Sequence, residues 1–297
     1  MTTPHLDPTV RHDMVFLFDV TDGNPNGDPD LGNRPRTDDE TQHGLVTDVA
    51  LKRKVRDTIA LAAEDNPRYN IFVQAGHALN TRIEESYPAI GLKAAAKNEA
   101  ITRDQADAAR AWLCDRYVDI RLFGAVLSTG KTNALGQIRG PLQVGIARSI
   151  DPILATDHTI TRVTQTKQDD VDKGESTEMG SKWTVAYGLY RVELYYSANR
   201  GKQTGVDTTD LEHLYQSLSM MFDHDRSATR GTMAPRGLYV FNHPNAFGAA
   251  PAHRLLERVT AALRDGVAGP ARTFGDYIIS ADDTELPDGV TMTKLIS

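Results

Sequence analysis

One cysteine, Cys114, stands in the 297 residues, which excludes an internal disulfide and any zinc site built on several thiolates. No apolar run is long enough to span a bilayer, and the opening MTTPHLDPTV carries no leader-peptide pattern. The chain therefore reads as cytoplasmic, with no membrane partner. Positive charge is in deficit: 33 Lys and Arg against 40 Asp and Glu give a net charge of -7. Such a balance argues against a surface that is basic throughout, yet it leaves room for one basic groove on an acidic body. An HExxH spacing is missing, so the histidines do not announce a zinc enzyme. Internal repeats and a flexible linker are missing too, and one domain with insertions is expected over residues 1–297.

What is present is the pattern of a mixed α+β protein. Met14, Phe16, Phe18 and Val20 alternate against Val15, Leu17 and Asp19, which suits a strand. A turn-rich segment, TDGNPNGDPDLGNRPRTDDETQHG, follows. Thr47 or Asp48 then caps a helix to about Ala63, with Leu51, Val55, Ile59 and Ala62 on its apolar face. Residues 69–118 read as a mainly helical insertion whose clearest start is the capping box Thr102-x-x-Gln105. Gln137–Ile146 is a strand candidate limited by Gly140-Pro141. His158–Thr164 and Trp183–Tyr196 alternate about a very polar segment, as a long hairpin does. Thr209-x-x-Glu212 predicts a second capped helix through Phe222, Leu238–Asn242 a short strand, and Pro251–Leu263 a last amphipathic helix. Without the insertions the order is strand, helix, strand, strand, helix, strand, the ferredoxin-like plan shared by RNA-recognition modules. That plan hosts many functions and decides none.

The catalytic motifs are each incomplete. Asp22-x-Asn24-x-Asn26-Gly27 opens like a calcium loop, but the closing acid is Asn33. STGKT at 128–132 resembles a phosphate-binding loop, but the required first glycine is Ala125. Asp223-His224-Asp225 places its candidate ligands too close along one element to converge on an ion. Asp19, Asp22 and Asp28 form the best enzymatic alternative, a metal-dependent ribonuclease, although no second acidic motif complements them.

The basic residues say more. Lys52 and Arg56 lie one turn apart on the helix, beside Arg53, on the flank of its buried face. Arg139, Arg226 and Arg230 add charge next to glycines, which permit close approach of main chain to a ligand. These cations are expected to converge into a furrow for a phosphate backbone.

Residues 18–57, FDVTDGNPNGDPDLGNRPRTDDETQHGLVTDVALKRKVRD, resemble the N-terminal signature of the type I-C CRISPR Cascade backbone subunit, of the Cas-seven branch of the RAMP superfamily. FGAVLSTG (123–130), GQIRGPLQ (136–143), ARSIDPI (147–153), WTVAYGLYR (183–191) and FDHDRSATRG (222–231) resemble its later motifs, in order. The resemblance implies an RRM-like palm, a helical fingers insertion near 69–118 and a β-hairpin thumb near 156–187. It implies a non-catalytic subunit without cofactors or a metal, multimerising along a guide RNA (crRNA) and presenting it to target DNA. Other Cascade subunits and a recruited helicase-nuclease would be its further partners. Carried onto this chain, Lys52, Arg53 and Arg56 would hold phosphates, as would Ser128, Thr129 and Lys131 of the glycine-flanked loop. Arg139, Arg226 and Arg230 would add charge, and Val163 and Met179 would wedge between bases.

Overall fold

The computed structural model describes residues 3–92, 101–128, 135–174 and 176–297. It is an α+β structure around one large antiparallel sheet. At its centre is β1 (His12–Gly23), buried without a break from His12 to Val20. The burial is continuous because both faces of the strand are covered. Met14, Phe16, Phe18 and Val20 enter one core, while Val15 and Leu17 enter a second on the opposite face.

The first core is roofed by α1 (Asp48–Ala62) and α3 (Thr208–His224), with α2 (Arg103–Arg116) in a region apart. Thr47 caps α1 by accepting the Ala50 N–H, as its sequence position predicts. The capping box at Thr102 and Gln105 has both of its hydrogen bonds. The one expected at Thr209 and Glu212 does not form. Asp207 and Asp210 make it instead, two residues earlier, because Asp210 is also the buried partner of Arg121.

Strand neighbours run β6 (Thr291–Ile296), β5 (Thr232–Asn242), β1, β4 (Glu178–Tyr196), β2 (Ala147–Pro152) and a short strand His43–Val46. β4 outgrows the sheet, and its first half pairs with β3 (Ala155–Arg162) from Val185↔Ala155 out to Glu178↔Arg162. The long hairpin expected from the two alternating runs therefore exists, and its register puts Met179 opposite Thr161.

Two expectations need correction. Gln137–Ile146 is two strands: Gln137–Arg139 pairs with Gly124–Val126, and Leu142–Val144 pairs with the end of β4. The break falls at Gly140, where a Cβ would overlap the backbone of Phe123 and Gly124. Pro251–Leu263 is one helical turn, Ala252–Leu256, followed by a strand, Val259–Leu263, paired with Tyr277–Ala281. The inward residues Leu255, Leu256 and Val259 suit a helix stripe. After Val259 the outward residues alternate in steps of two, which only a strand permits. This C-terminal hairpin covers the second core and accounts for the burial of both faces of β1. Residues from Phe72 to Leu135 supply a third core of their own, around Leu113, Tyr117 and Ile120.

Candidate nucleic-acid interface

A groove of about 980 Å³ opens where four segments meet: the loop after β1, the first turn of α1, the root of the β3–β4 hairpin and the loop Ser227–Arg230. Glycine makes the meeting possible. A Cβ on Gly23 would overlap the carbonyl of Arg230, and Gly231, at φ +63°, passes equally close to Thr21 and Asp22. The Asn24 N–H donates to the Thr229 carbonyl at 2.8 Å and closes the seam. These glycines accommodate another stretch of the same chain, where the sequence suggested close approach to a ligand.

Asparagines shape the upper wall. Asn26 Oδ1 accepts from the Thr47 N–H at 2.9 Å and hydroxyl at 3.0 Å, tying the loop to the α1 cap. Asn24 Nδ2 donates to the Asn33 carbonyl at 2.6 Å. With Thr47–Ala50 in the wall, the positive end of the α1 dipole faces the groove.

Five cations line the groove, Arg36, Arg53, Lys54, Lys182 and Arg230, against one acid, Asp48. Arg36 is paired with Asp28, and Lys54 and Arg230 share Asp225, so Arg53 and Lys182 are the wall cations least tied to a carboxylate, in a chain whose net charge is -7. Arg53 is 62% exposed and only loosely tied to Asp57 at 3.4 Å. Among the described residues no ion pair involves Lys182. Asp225 is held between Arg230, at 2.9 Å, and the buried Lys54, which pairs with it directly. Burial pulls the Lys54 ammonium below its ordinary range, and the Asp225 carboxylate opposes that shift. Trp183 lies in the floor, with the Arg34 guanidinium 5.8 Å from its ring centre.

The expected furrow does not form as a single set, because α1 divides its residues. Arg53 and Arg230 enter the groove. Lys52 and Arg56 turn to the other flank, where they lie 5.7 and 5.0 Å from the Phe123 ring and pair with Asp48 and Asp119 at 2.8 Å each. Arg139 stands with its Cα opposite Gly124, the residue after Phe123. Ser128 is exposed, and Thr129 and Lys131 lie outside the described residues. Arg226, next to the groove, is 73% exposed and pairs with Asp223 at 2.7 Å. Val163 and Met179 stand 85% and 77% exposed on the hairpin. Among the groove residues, sequence reasoning passed over Arg36, Lys54, Lys182 and Trp183. The strand alternation around Trp183 was the available signal for the last two.

The carboxylates of the ribonuclease alternative do not converge. Asp19 is buried against the second core, accepting from Tyr187 at 3.0 Å and Arg236 at 2.8 Å, while Asp28 pairs with Arg36 at 2.9 Å. Burial pushes the Asp19 carboxyl upward, opposed by Arg236 and Tyr187. Among the described residues no three His, Cys, Asp or Glu side chains are placed to share a metal ion, and no helix is long and apolar enough to cross a membrane.

Residues 10–282 match the family model of CRISPR-associated protein Cas7. The chain belongs to the Cas7 family. A CRISPR-associated protein Cas7 of Haloferax volcanii is 27% identical over 221 residues, which are 69% of this chain and 62% of that protein. The matched region thus spans less than two thirds of that Cas7's length. A chain of a solved CRISPR RNA-guided surveillance complex, described as pre-nicking, superposes with a TM-score of 0.50 at 16% identity, over 78% of both chains. That similarity shows a shared fold. A second CRISPR RNA-guided surveillance complex gives a TM-score of 0.43 at 17% identity, over 78% of this chain and 68% of the other.

Proposed function

We propose that this Cas7 protein is a non-catalytic, guide-RNA-binding backbone subunit of a type I-C CRISPR surveillance complex. The single observation that carries the reading is the groove: five cations in its wall, Arg53 and Lys182 the least tied to a carboxylate, on an acidic chain, beside a helix N-terminus and at the root of a long exposed hairpin. Such a wall takes a phosphate backbone whatever its base sequence, which suits a subunit that leaves specificity to base pairing.

In this reading β5, β1, β4 and β2, with α1 and α3 on one face, form the RRM-like palm, since their order is that of a ferredoxin-like sheet. The region of the third core, near residues 69–118, serves as fingers. The β3–β4 hairpin, near 156–187, serves as thumb, with Val163 and Met179 as apolar wedges. Arg53 and Arg230, with Lys182 and Arg36, hold guide phosphates in the groove. Arg139, Ser128, Thr129 and Lys131 add contacts to the guide, while Lys52 and Arg56, each paired with a carboxylate, brace α1 and contribute less. Partners are the guide RNA, further copies of this chain, other Cascade subunits, target DNA by way of the guide, and a helicase-nuclease recruited to the assembly.

The test is co-expression with a guide RNA, followed by measurement of the absorbance ratio, the particle size and the length of bound RNA. The expected product is a multimeric particle that protects RNA. A monomer free of RNA that ignores the guide at low salt overturns the reading.

A further inference from the structure

We infer that the hollow walled by Arg236, Tyr239, Arg264, Phe274, Tyr277 and Lys294 is a second nucleic-acid site, taking one phosphate of a single strand between Arg264 and Lys294 and one base against the Arg236–Phe274 pair. It lies on the face of the sheet away from α1 and α3, beneath the C-terminal hairpin and separate from the groove; its test uses the guide-loaded particle and so rests on the reading above.

The hollow measures about 400 Å³, room for a nucleotide unit. Three cations line it, and none of its wall side chains is acidic, in a protein with seven more acids than bases. The carboxylates that touch these cations stand behind or outside the wall. Asp19 takes the Arg236 Nε from below at 2.8 Å, and among the described residues no hydrogen bond uses the two terminal nitrogens of Arg236. Arg264 donates its Nε to the Gly275 carbonyl at 2.8 Å and has no carboxylate partner among the described residues. Among the described residues the one carboxylate that Lys294 meets is Asp283, at 2.9 Å, a pair in which the acid is 51% exposed and exchanges readily with solvent and other anions.

The second element is planar. The Arg236 guanidinium lies 5.1 Å from the Phe274 ring centre, and the buried rings of Tyr239 and Tyr277 back the pair. Cation and ring together offer a flat, sequence-tolerant surface of the kind on which bases stack. An acidic peptide would satisfy the cations but leave this surface unused. A nucleic-acid strand uses both.

The test uses the particle already loaded with guide RNA, so that the groove is occupied. Fluorescein-labelled oligothymidylate and oligouridylate are titrated separately at several low salt concentrations, followed by anisotropy. One or both bind the parent particle, and the preferred sugar tells whether the strand is DNA or RNA. Reversal of both exposed cations, R264E with K294E, lowers the affinity at least tenfold. The same reversal lowers the salt slope by about 0.7, from one lost phosphate contact on a single strand. F274A lowers affinity by on the order of tenfold at an unchanged salt slope. Guide loading stays as in the parent for all three substitutions, and so does the melting temperature for R264E and K294E. Phe274 packs against the second core, so F274A is measured at a temperature where both proteins are folded. Equal strand binding by the parent and R264E/K294E overturns the proposal, as does binding of neither oligonucleotide. Displacement of the strand by a polyglutamate peptide or by a mononucleotide at equal concentration also overturns it.

Discussion

Arg121 and Asp210 form a two-pronged ion pair with no solvent contact, Nε to Oδ2 at 2.8 Å and Nη2 to Oδ1 at 2.7 Å. Arg121 lies at the edge of the third core, and Asp210 lies in the first turn of α3. Arg121 also donates to the carbonyls of Cys114 and Arg68, so one guanidinium fastens the helical insertion to the sheet domain. Removing one member of such a pair strands the other charge, whereas removing both charges does not. Arg121→Met is therefore expected to cost about 3–5 kcal/mol of unfolding free energy in urea. Adding Asp210→Asn, which keeps an acceptor for the Asp207 N–H, should return part of the loss. A double variant no more stable than Arg121→Met would show that the pair is not the fastening.

The division of basic residues by α1 predicts two kinds of variant on one helix. Arg53 is exposed and loosely paired, so Arg53→Ala leaves stability within about 0.5 kcal/mol and weakens guide binding. With Lys182→Ala added, two contacts vanish and the salt slope for single-stranded RNA falls by about 1.4. Arg56 instead feeds Asp119, which also accepts from the Phe72 and Val73 N–H groups. Arg56→Ala should lower the denaturant midpoint. Filter binding and urea titration of the two single variants separate the classes, and equal destabilisation by both would contradict the assignment.

Much of this was legible along the chain, in proportion to how local the cause was. The β1 alternation, the Thr47 cap and the Thr102–Gln105 box depend on residues a few positions apart, and each stands in the structure. The register of the β3–β4 hairpin depends on pairing across a long polar tip, and alternation alone left it open. The cap at Asp207 escaped because Arg121, far away in sequence, recruits Asp210. Of the basic residues on α1, the helical period identified an exposed flank but not which neighbour each side chain would meet. Phe123 and Asp119 captured Lys52 and Arg56 through tertiary contacts. The groove is likewise non-local, since the Gly23–Arg230 seam joins segments from opposite ends of the domain.

That seam carries its own prediction. A Cβ on Gly23 has no room against the Arg230 backbone, which cannot retreat without opening the Asn24–Thr229 hydrogen bond. Gly23→Ala should cost roughly 1–3 kcal/mol, the usual range for overpacking, and widen the groove wall enough to weaken guide binding. Gly76, at φ +83° with no neighbour within 4 Å of a Cβ and outside the groove wall, provides the comparison. Gly76→Ala is strained only by its backbone and should leave guide binding unchanged. If the Gly23 and Gly76 variants bind guide RNA equally well, the seam does not shape the groove.

The last prediction concerns acid. His12 is wholly buried in β1, its Nδ1 at 2.9 Å from the Tyr215 hydroxyl and its ring against Tyr196, with His5, His243 and Asp7 as its charged or titratable surroundings. Burial lowers its pKa to about 4 from 6.5 in the unfolded chain, with Asp7 opposing and His5 and His243 assisting. Between these values the unfolded chain binds the proton and the folded one does not, so stability rises with pH across the interval. The contribution is complete above about pH 6.5 and is lost as pH falls toward 4. A shift of this size corresponds to roughly 3 kcal/mol. Comparison with His12→Gln, by urea unfolding at intervals from pH 7 to 4.5, cancels the other titrating groups. The difference between the two proteins should shrink as acid is added, and a difference that stays constant would mean that His12 is not the group being protonated.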